Sequence, residues 1–526
     1  MKKILYIALL AGTAALSSCN KFLEEHPKSQ QPVDAYYQTI DQVQSAVNYL
    51  YNTATGPNSF YNIGGLYDGT NAMALDNLSG MANNVVAQNP SVRYYASLTI
   101  TGDNQDNYVG GIWSSFYSNI ADANTIISKV GASTTIDQTA AAPLVATARF
   151  FRAMDYYYLV RIFGAVPLIL QPYENLNDLY APRSTVDSVY GAIVADLQWA
   201  YSNGNLADKP MGANGNQVSK GTVGGILSEV YLTMAGHPLQ KGQAAYTQAL
   251  QQAQAVINSA GGYALFDNSG GTTPFDKLRL ASNDQGSEYL YFVEYNSAIQ
   301  QSAYPEYSLP NTFPQAVPNS NLHVAYTLVT QVWTPSTTLL NMYDSVNDIR
   351  RHEKQFYSTS FNYVTTGGAP ASIKYSYMPY RWFDSTAIFS TSASGKYASV
   401  YRLADVYLIA AEAANELGQD PTPFLTPILK RAYVTPPVIP AGQSDRRNLI
   451  LGERYRELAM EGHFWFDMVR TQLYPDVDAL HHVSFSALVG HSNGRGQQYS
   501  NTDLLLPLPT SEMQRNPNLK PQNPGY

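Results

Sequence analysis

A single cysteine stands among 526 residues, so no disulfide can close within the chain and a cysteine-built zinc site is excluded. Charge is scarce too: Asp, Glu, Lys and Arg make up 14%, against about 25% in a typical soluble domain. Acids outnumber bases 40 to 32 and no Lys/Arg run occurs. The basic stripe that nucleic-acid phosphates require is therefore missing. Past the leader, no apolar run approaches the roughly 18 residues of a membrane-spanning helix. Neither HExxH, nor a phosphate-loop Lys-Ser/Thr, nor a Gly-x-Ser-x-Gly elbow occurs. No cofactor, metal or catalytic residue is expected. What the chain has in quantity is apolar and aromatic: 45% hydrophobic residues and 41 tyrosines. That is enough to bury a full core and rules out general disorder.

The first residues address location. Lys2 and Lys3 precede a mostly apolar run, Ile4 to Leu16, too short for the about twenty residues a bilayer needs. It fits a signal peptide. Leu16-Ser17-Ser18-Cys19 follows. Small residues before a cysteine resemble a bacterial lipobox, where the thiol is acylated and becomes the mature N-terminus. Cys19 is expected to be the lipid anchor and the only membrane attachment. Several acyl chains on one residue anchor stably where one would not.

The body reads as mainly helical. Residues 19–38 form a lipidated tether after the 1–18 signal peptide. Thr39-Ile40-Asp41-Gln42 has capping-box spacing, opening a helix to about Thr53. Residues 55–110 are rich in Gly, Asn, Asp and Tyr, and read as long loops with at most one short helix. Trp113, Phe116, Tyr117, Ile120, Asn124 and Ile127 mark one helical face. Further helices are expected at 139–163, stopped by Gly164 and Pro167, at Ser184 to Asn203, Ser219 to Ala235, Gly242 to Ser259, 336–343, 400–417 and 423–432. Small residues on paired helices, with Tyr263 filling the gap, suggest tetratricopeptide-like units. Glu288 to Tyr295 and Ile373 to Trp382 look like strands. The layout is an N-terminal helical scaffold over 39–263 with loops at about 55–110, a loop-rich aromatic insert over 264–398, and a C-terminal helical part over 399–526.

Several stretches then align with one family. They are Cys19 to Pro27, the Trp113 to Asn124 spacing, and Ala148-Arg149-Phe150-Phe151-Arg152-Ala153 through Gly164-Ala165-Val166-Pro167. Tyr401 to Leu408 and Glu453-Arg454-Tyr455-Arg456-Glu457-Leu458-Ala459-Met460-Glu461-Gly462-His463 with Phe466 to Arg470 continue the match, and the tail Leu506 to Tyr526 closes it. Together, in this order, they resemble the SusD/RagB outer-membrane lipoproteins of Bacteroidetes. Phe464 departs from the pattern, which often has Arg there. The resemblance implies a mainly α, tetratricopeptide-like scaffold with a minor-β binding portion, on the outer face of the outer membrane. It implies a SusC-like TonB-dependent transporter as partner and a glycan as cargo. Relatives of the RagB kind imply a peptide instead.

A sugar offers a face of C–H groups and a rim of hydroxyls, so its binder needs flat aromatics beside Asp, Asn or Arg, on loops over a rigid frame. Two loop stretches qualify and coincide with the regions from which the family draws its ligand residues. The first holds Asp76, Asn83, Arg93 and Tyr94; the second holds Tyr304, Tyr307 and Trp333. Trp113, Trp199 and Trp465 sit on helix faces and are expected to pack. The acids Glu453, Glu457, Glu461 and Asp467 could suggest a glycosidase pair, but their interleaving with Arg454, Arg456 and Arg470 favours an ion network. His463 is expected to pack, and His481, His482 and His491 to lie on a loop surface. The expectation is a non-catalytic glycan-binding surface lipoprotein. A peptide binder, a surface glycoside hydrolase and a ligand-free structural lipoprotein are the alternatives.

Overall fold

The structure, a computed structural model, describes residues 36–53, 71–83, 90–173, 175, 179–326, 331 and 333–526. Cys19 and its tether lie outside these residues, as do Asn84, Gln88 and Asn89 of the first loop stretch.

Helices dominate and begin where the sequence signals them. Helix α1 (Ile40–Thr53) opens on a capping box: the Thr39 hydroxyl accepts from Gln42 N–H at 3.4 Å, and the Gln42 side chain accepts from Thr39 N–H at 3.0 Å. Two short helices, α2 (Asn71–Leu78) and α3 (Pro90–Ala96), stand among the described residues of the stretch read as loops, where the sequence suggested one. Helix α4 (Asp106–Ala132) starts earlier than its aromatic stripe suggested. Helix α5 (Gln138–Phe163) is capped by the Asp137 side chain and stopped at Gly164, whose φ is 73°. Helix α6 (Val186–Asn203) takes Thr185 as its cap, rather than Ser184, because the Thr185 hydroxyl reaches Ser188 N–H at 3.2 Å. Helices α7 (Lys220–Ala235) and α8 (Gln243–Ile257) complete the N-terminal half.

Helix α5 packs against α4 and α6, and α7 against α8. The α7–α8 contact is close because α7 carries glycines there. A Cβ on Gly224 would lie 2.7 Å from Val256, and one on Gly221 would lie 2.2 Å from the Tyr263 ring. Tyr263 thus fills the gap, and its hydroxyl accepts from Gly221 N–H at 2.9 Å.

The middle of the chain supplies α9 (Pro274–Arg279), α10 (Tyr304–Ser308) and α11 (Thr337–Asn341). The C-terminal half supplies α12 (Leu403–Glu416), α13 (Thr422–Ala432), α14 (Gln443–Glu457), α15 (Phe464–Thr471) and α16 (Thr510–Arg515). Helix α8 packs on α12, and α12 on α13 and α14, so both ends of the chain share one scaffold. One hydrophobic cluster runs from Val43 to Leu519, and a smaller one gathers Leu309, Phe313, Val324 and Met378. The tail is sewn to the exit of α5: Leu506 N–H donates to the Ile162 carbonyl at 2.8 Å, and the Asn523 amide to Phe163 at 3.0 Å.

Strands are short and pair in twos. They are β1 (Ala82–Asn83) with β3 (Thr334–Pro335), β2 (Tyr289–Val293) with β6 (Ala398–Arg402), β4 (Tyr357–Val364) with β5 (Pro370–Pro379), and β7 (Leu473–Val477) with β8 (Val483–Ala487). All are antiparallel. Strand β6 replaces what the sequence suggested was the first turn of a longer helix at 400. All five of its residues are buried, so it pairs as a strand before α12 begins.

Candidate functional site

The two loop stretches singled out in the sequence meet in space. The β1–β3 pair brings Asn83 opposite Thr334 and Ala82 opposite Pro335, and Ser336 N–H donates to the Met81 carbonyl at 2.9 Å. The contact spans more than 250 residues of chain: the Trp333 indole N–H donates to Asp76 Oδ2 at 3.1 Å.

That same contact corrects three of the expected site residues. Asp76, Tyr304 and Trp333 are 0%, 2% and 1% exposed. Tyr304 stacks on Trp382 at 4.4 Å, and Trp333 stacks on the same ring at 5.7 Å. With Tyr304 and Trp333 themselves 5.5 Å apart, the three rings form a buried triad, and Asp76 satisfies the polar edge of one of them. None presents a face to a ligand here. The physical reason is Trp382, which stands just after β5 and covers the rings that a sugar would need. Burial pushes the Asp76 carboxyl up to about 8, against a smaller downward pull from the Trp333 N–H and a further upward push from Glu461.

The other four stay accessible. Asn83 and Tyr307 are half-buried, Tyr94 is half-buried, and Arg93 is exposed with its guanidinium 5.3 Å from the Tyr94 ring. Asn83 is positioned by Arg495, which donates to its Oδ1 from Nη2 at 2.8 Å and also reaches the Ala82 carbonyl. Arg495 sits on a turn that pins α3 as well, since the Asn493 amide donates to the Ala96 carbonyl at 2.9 Å. Gly80, with φ 73°, passes so close that a Cβ would lie 2.8 Å from the Asn493 carbonyl oxygen.

Sequence reasoning missed Arg495, Tyr377 and Arg351. The Tyr377 carbonyl accepts from the Gln331 amide at 2.9 Å and the Thr334 hydroxyl at 3.0 Å, which joins β5 to the junction. Arg351 lies 4.1 Å from the Tyr377 ring and donates to its hydroxyl. Arg495, Asn83, Tyr377 and Arg351 therefore form a run of half-buried polar and aromatic groups across the junction. The paired glycines Gly494 and Gly496 around Arg495 were the available signal. Nothing local in the sequence marks Arg351.

The acids that could have suggested hydrolysis are engaged elsewhere. Arg402 donates to Glu288 at 2.5 Å, to Glu457 at 3.1 Å and to Glu461 at 2.7 Å, all fully buried. Arg431 bridges Glu288 and Glu457 at 2.7 and 2.6 Å, and Arg350 bridges Asp348 and Glu453 at 2.8 and 2.7 Å. Burial alone would raise Glu461, but Arg381 and Arg402 outweigh it and hold its carboxyl at about 2. Asp467 is held at about 2 in the same way, with Arg454 and Arg470 overcoming burial. A glycosidase acid needs the opposite, a carboxyl whose pKa is raised in an open cleft. Local pairs such as Arg456–Glu453 exist, as the sequence suggested, but most partners come from distant segments.

One expectation on the histidines fails: His491 is half-buried, its ring stacked on Tyr474 at 4.2 Å and its Nε2 3.0 Å from Asp476 Oδ1, because that loop folds back onto β7. His463 is buried with Nε2 3.2 Å from the Val400 carbonyl, while His482 is exposed beside Asp478. Trp113 and Trp465 are buried, and Trp199 is half-buried beneath Arg149 at 4.6 Å. Glu229, Asp405 and His463 place ligand-type atoms within 4.8 Å of one another. Arg161 and Arg454 already pair with the two carboxylates, at 3.2 and 2.6 Å, so the cluster reads as part of the ion network. Among the described residues no helix is long and apolar enough to cross a membrane.

Comparison with known proteins supplies context for this geometry. Residues 336–526 match the model of the SusD family, and residues 21–232 match a family described as starch-binding, associating with the outer membrane. SusD-like protein P2 of Formosa agariphila is 27% identical, with 100% of this chain and 99% of that protein aligned. A SusD superfamily protein from Parabacteroides distasonis superposes with a TM-score of 0.80 at 28% identity, covering 92% of this chain and 99% of that one. A laminarin-binding SusD-like protein superposes with a TM-score of 0.70 at 22% identity, covering 93% and 100%, which attests to the shared fold.

Proposed function

From the premise that this chain belongs to the SusD family, we propose that it is a non-catalytic surface lipoprotein. It holds oligosaccharide and passes it to a SusC-like TonB-dependent transporter in the outer membrane. The supporting observation is the β1–β3 junction, which gathers Asn83, Tyr377, Arg351 and Arg495 from segments far apart in sequence, with Tyr307 joined to it where its carbonyl accepts from Trp333 N–H at 3.3 Å. Guanidinium and amide groups beside half-buried tyrosines are the chemistry a sugar needs: donors for the hydroxyl rim and rings for the C–H face. Arg93 and Tyr94 extend this face on α3. Acylation of Cys19 keeps the protein beside its transporter, so a weak re-docking contact suffices to pass cargo on.

Calorimetry of the mature protein with laminarin- and starch-derived hexasaccharides tests this reading. Binding in the micromolar range or weaker is expected, as suits cargo that must be released. Binding to peptides but to no glycan would replace sugar with peptide as the cargo. Polysaccharide turnover that is lost on changing one carboxylate would make the protein a hydrolase. Replacing Cys19 with Ala is expected to release the protein from the outer membrane in cell fractionation.

A further inference from the structure

A groove elsewhere shares no lining residue with the junction. It holds about 450 Å³ between α4, the chain at 167–173 and 179–181, and the α16 region. Trp113 and Tyr117 line it on the α4 side, Tyr173 and Tyr180 on the loop, and Gln171, Glu512 and Arg515 bring polar groups.

Three observations define what fits there. Only three tyrosines among the described residues stand exposed, Tyr49, Tyr173 and Tyr180, and two of them line this groove. At 43% and 53% exposure, with Leu179 beside them at 41%, they form an aromatic patch of the kind that marks a binding surface. Next, Glu512 and Arg515 pair with each other at 2.5 Å. The charged groups of the lining therefore cancel, which favours a neutral ligand.

Lastly, several carbonyls at the two ends of the 167–181 stretch are already taken. Tyr117 donates to the Pro167 carbonyl at 2.8 Å, Asn124 and Tyr156 to that of Ile169 at 2.9 Å each, and Arg152 to that of Leu170 at 3.0 Å. Asn518 and Asn516 take the Tyr180 and Ala181 carbonyls at 2.7 and 2.9 Å. A peptide that adds to a chain edge needs such groups free. These positions therefore favour a ligand read by side chains, and the bonds hold the chain in place at 167–170 and 180–181.

We propose that this groove is a second carbohydrate subsite, taking a short neutral stretch of glycan whose ring faces stack on Tyr173 and Tyr180. Gln171 and the Glu512–Arg515 pair meet its hydroxyls. The proposal rests on the glycan reading above and extends it: one polysaccharide chain engages the protein at two places, and the linkage raises avidity.

The test is calorimetry on the full mature protein with hexasaccharides of laminarin, starch, xylan and mannan, and with the parent polysaccharides. The Tyr173→Ala/Tyr180→Ala double variant is expected to lose one equivalent of bound hexasaccharide and to bind polysaccharide roughly tenfold more weakly. An Arg351→Ala/Tyr377→Ala variant loses the other equivalent. Tyr173 and Tyr180 of the wild type are expected to be shielded from iodination by the bound glycan while Tyr49 is not, which reads the groove without any substitution. Unchanged stoichiometry in the groove variant, with binding lost only in the junction variant, overturns the subsite and leaves the parent reading standing. Binding of none of these glycans overturns both. Intact glycan binding with loss of the transporter complex or of self-association would make the groove a protein interface and overturn the proposal.

Discussion

Arg402 and Arg351 carry the same planar cation, but the fold uses them in opposite ways. Arg402 is fully buried among three carboxylates and knits β6 to β2, α14 and the turn after it. Arg351 is half-buried on a tyrosine ring at the β1–β3 junction, with part of its surface in solvent. The aromatics divide likewise. Tyr304, Trp333 and Trp382 are a sealed triad, whereas Tyr173 and Tyr180 stand exposed at the rim of a groove. Residue type sets what a side chain can bind, and burial decides whether that capacity is used up inside the protein or left for a ligand.

The sharpest way to break this contrast is Arg402→Met. It takes one of their cationic partners from each of Glu288, Glu457 and Glu461, and removing one partner of a buried ion pair costs about 3–5 kcal/mol. Urea unfolding is expected to show that loss, and an unchanged midpoint would make the hub dispensable. Next comes Trp333→Phe, which keeps the ring but removes the donor to Asp76, leaving a buried acceptor at about 1–3 kcal/mol. Its hexasaccharide affinity is expected to match the wild type. Weakened binding at unchanged stability would place Trp333 at the ligand after all.

The two regions also respond to pH with opposite sign. Asp76 is raised from 3.8 to about 8, so the stability it lends is full in acid and is lost as pH rises through that interval. Glu461 is depressed from 4.5 to about 2, so its contribution is full above the ordinary value and is lost as pH falls through that interval. An Asp76→Asn variant is therefore expected to lose the decline in melting temperature that runs from pH 3.8 up to about 8, while keeping the decline as pH falls below 4.5. If both declines survive, the one on the rising-pH side belongs to another group. The smallest effect on stability belongs to Arg351→Ala. It gives up a ring contact of about 1 kcal/mol or less and is expected to weaken glycan binding roughly tenfold, about 1.4 kcal/mol.

The helical frame was largely readable along the chain. The Thr39–Gln42 capping box, the Gly164 stop and the Tyr263 gap-filler all act locally, within a turn or between adjacent helices, and the structure shows each in place. The acid–arginine stretch at 453–470 was also legible as an ion network, although its main partners, Arg350, Arg402 and Arg431, carry no local mark. The candidate site was half legible. Its two stretches were the right ones to bring together, and Asn83 and Tyr307 remain on the junction. Asp76, Tyr304 and Trp333 were misjudged because nothing near them in the sequence announces that Trp382 covers them. Arg495 and Arg351 escaped notice for the converse reason: each stands in an ordinary loop or turn and gains meaning only from a residue far away in the chain.

Sequence alone determined the scarcity of charge, the helix ends and the glycines that let α7 and α8 approach. These are consequences of local sterics, hydrogen bonding and periodicity, which act over a few residues. Tertiary structure alone decided which aromatics face inward, which guanidiniums are saturated by buried acids, and where an open tyrosine-lined groove remains. Those outcomes depend on the competition for burial among side chains up to hundreds of residues apart, and a linear chain does not display its result.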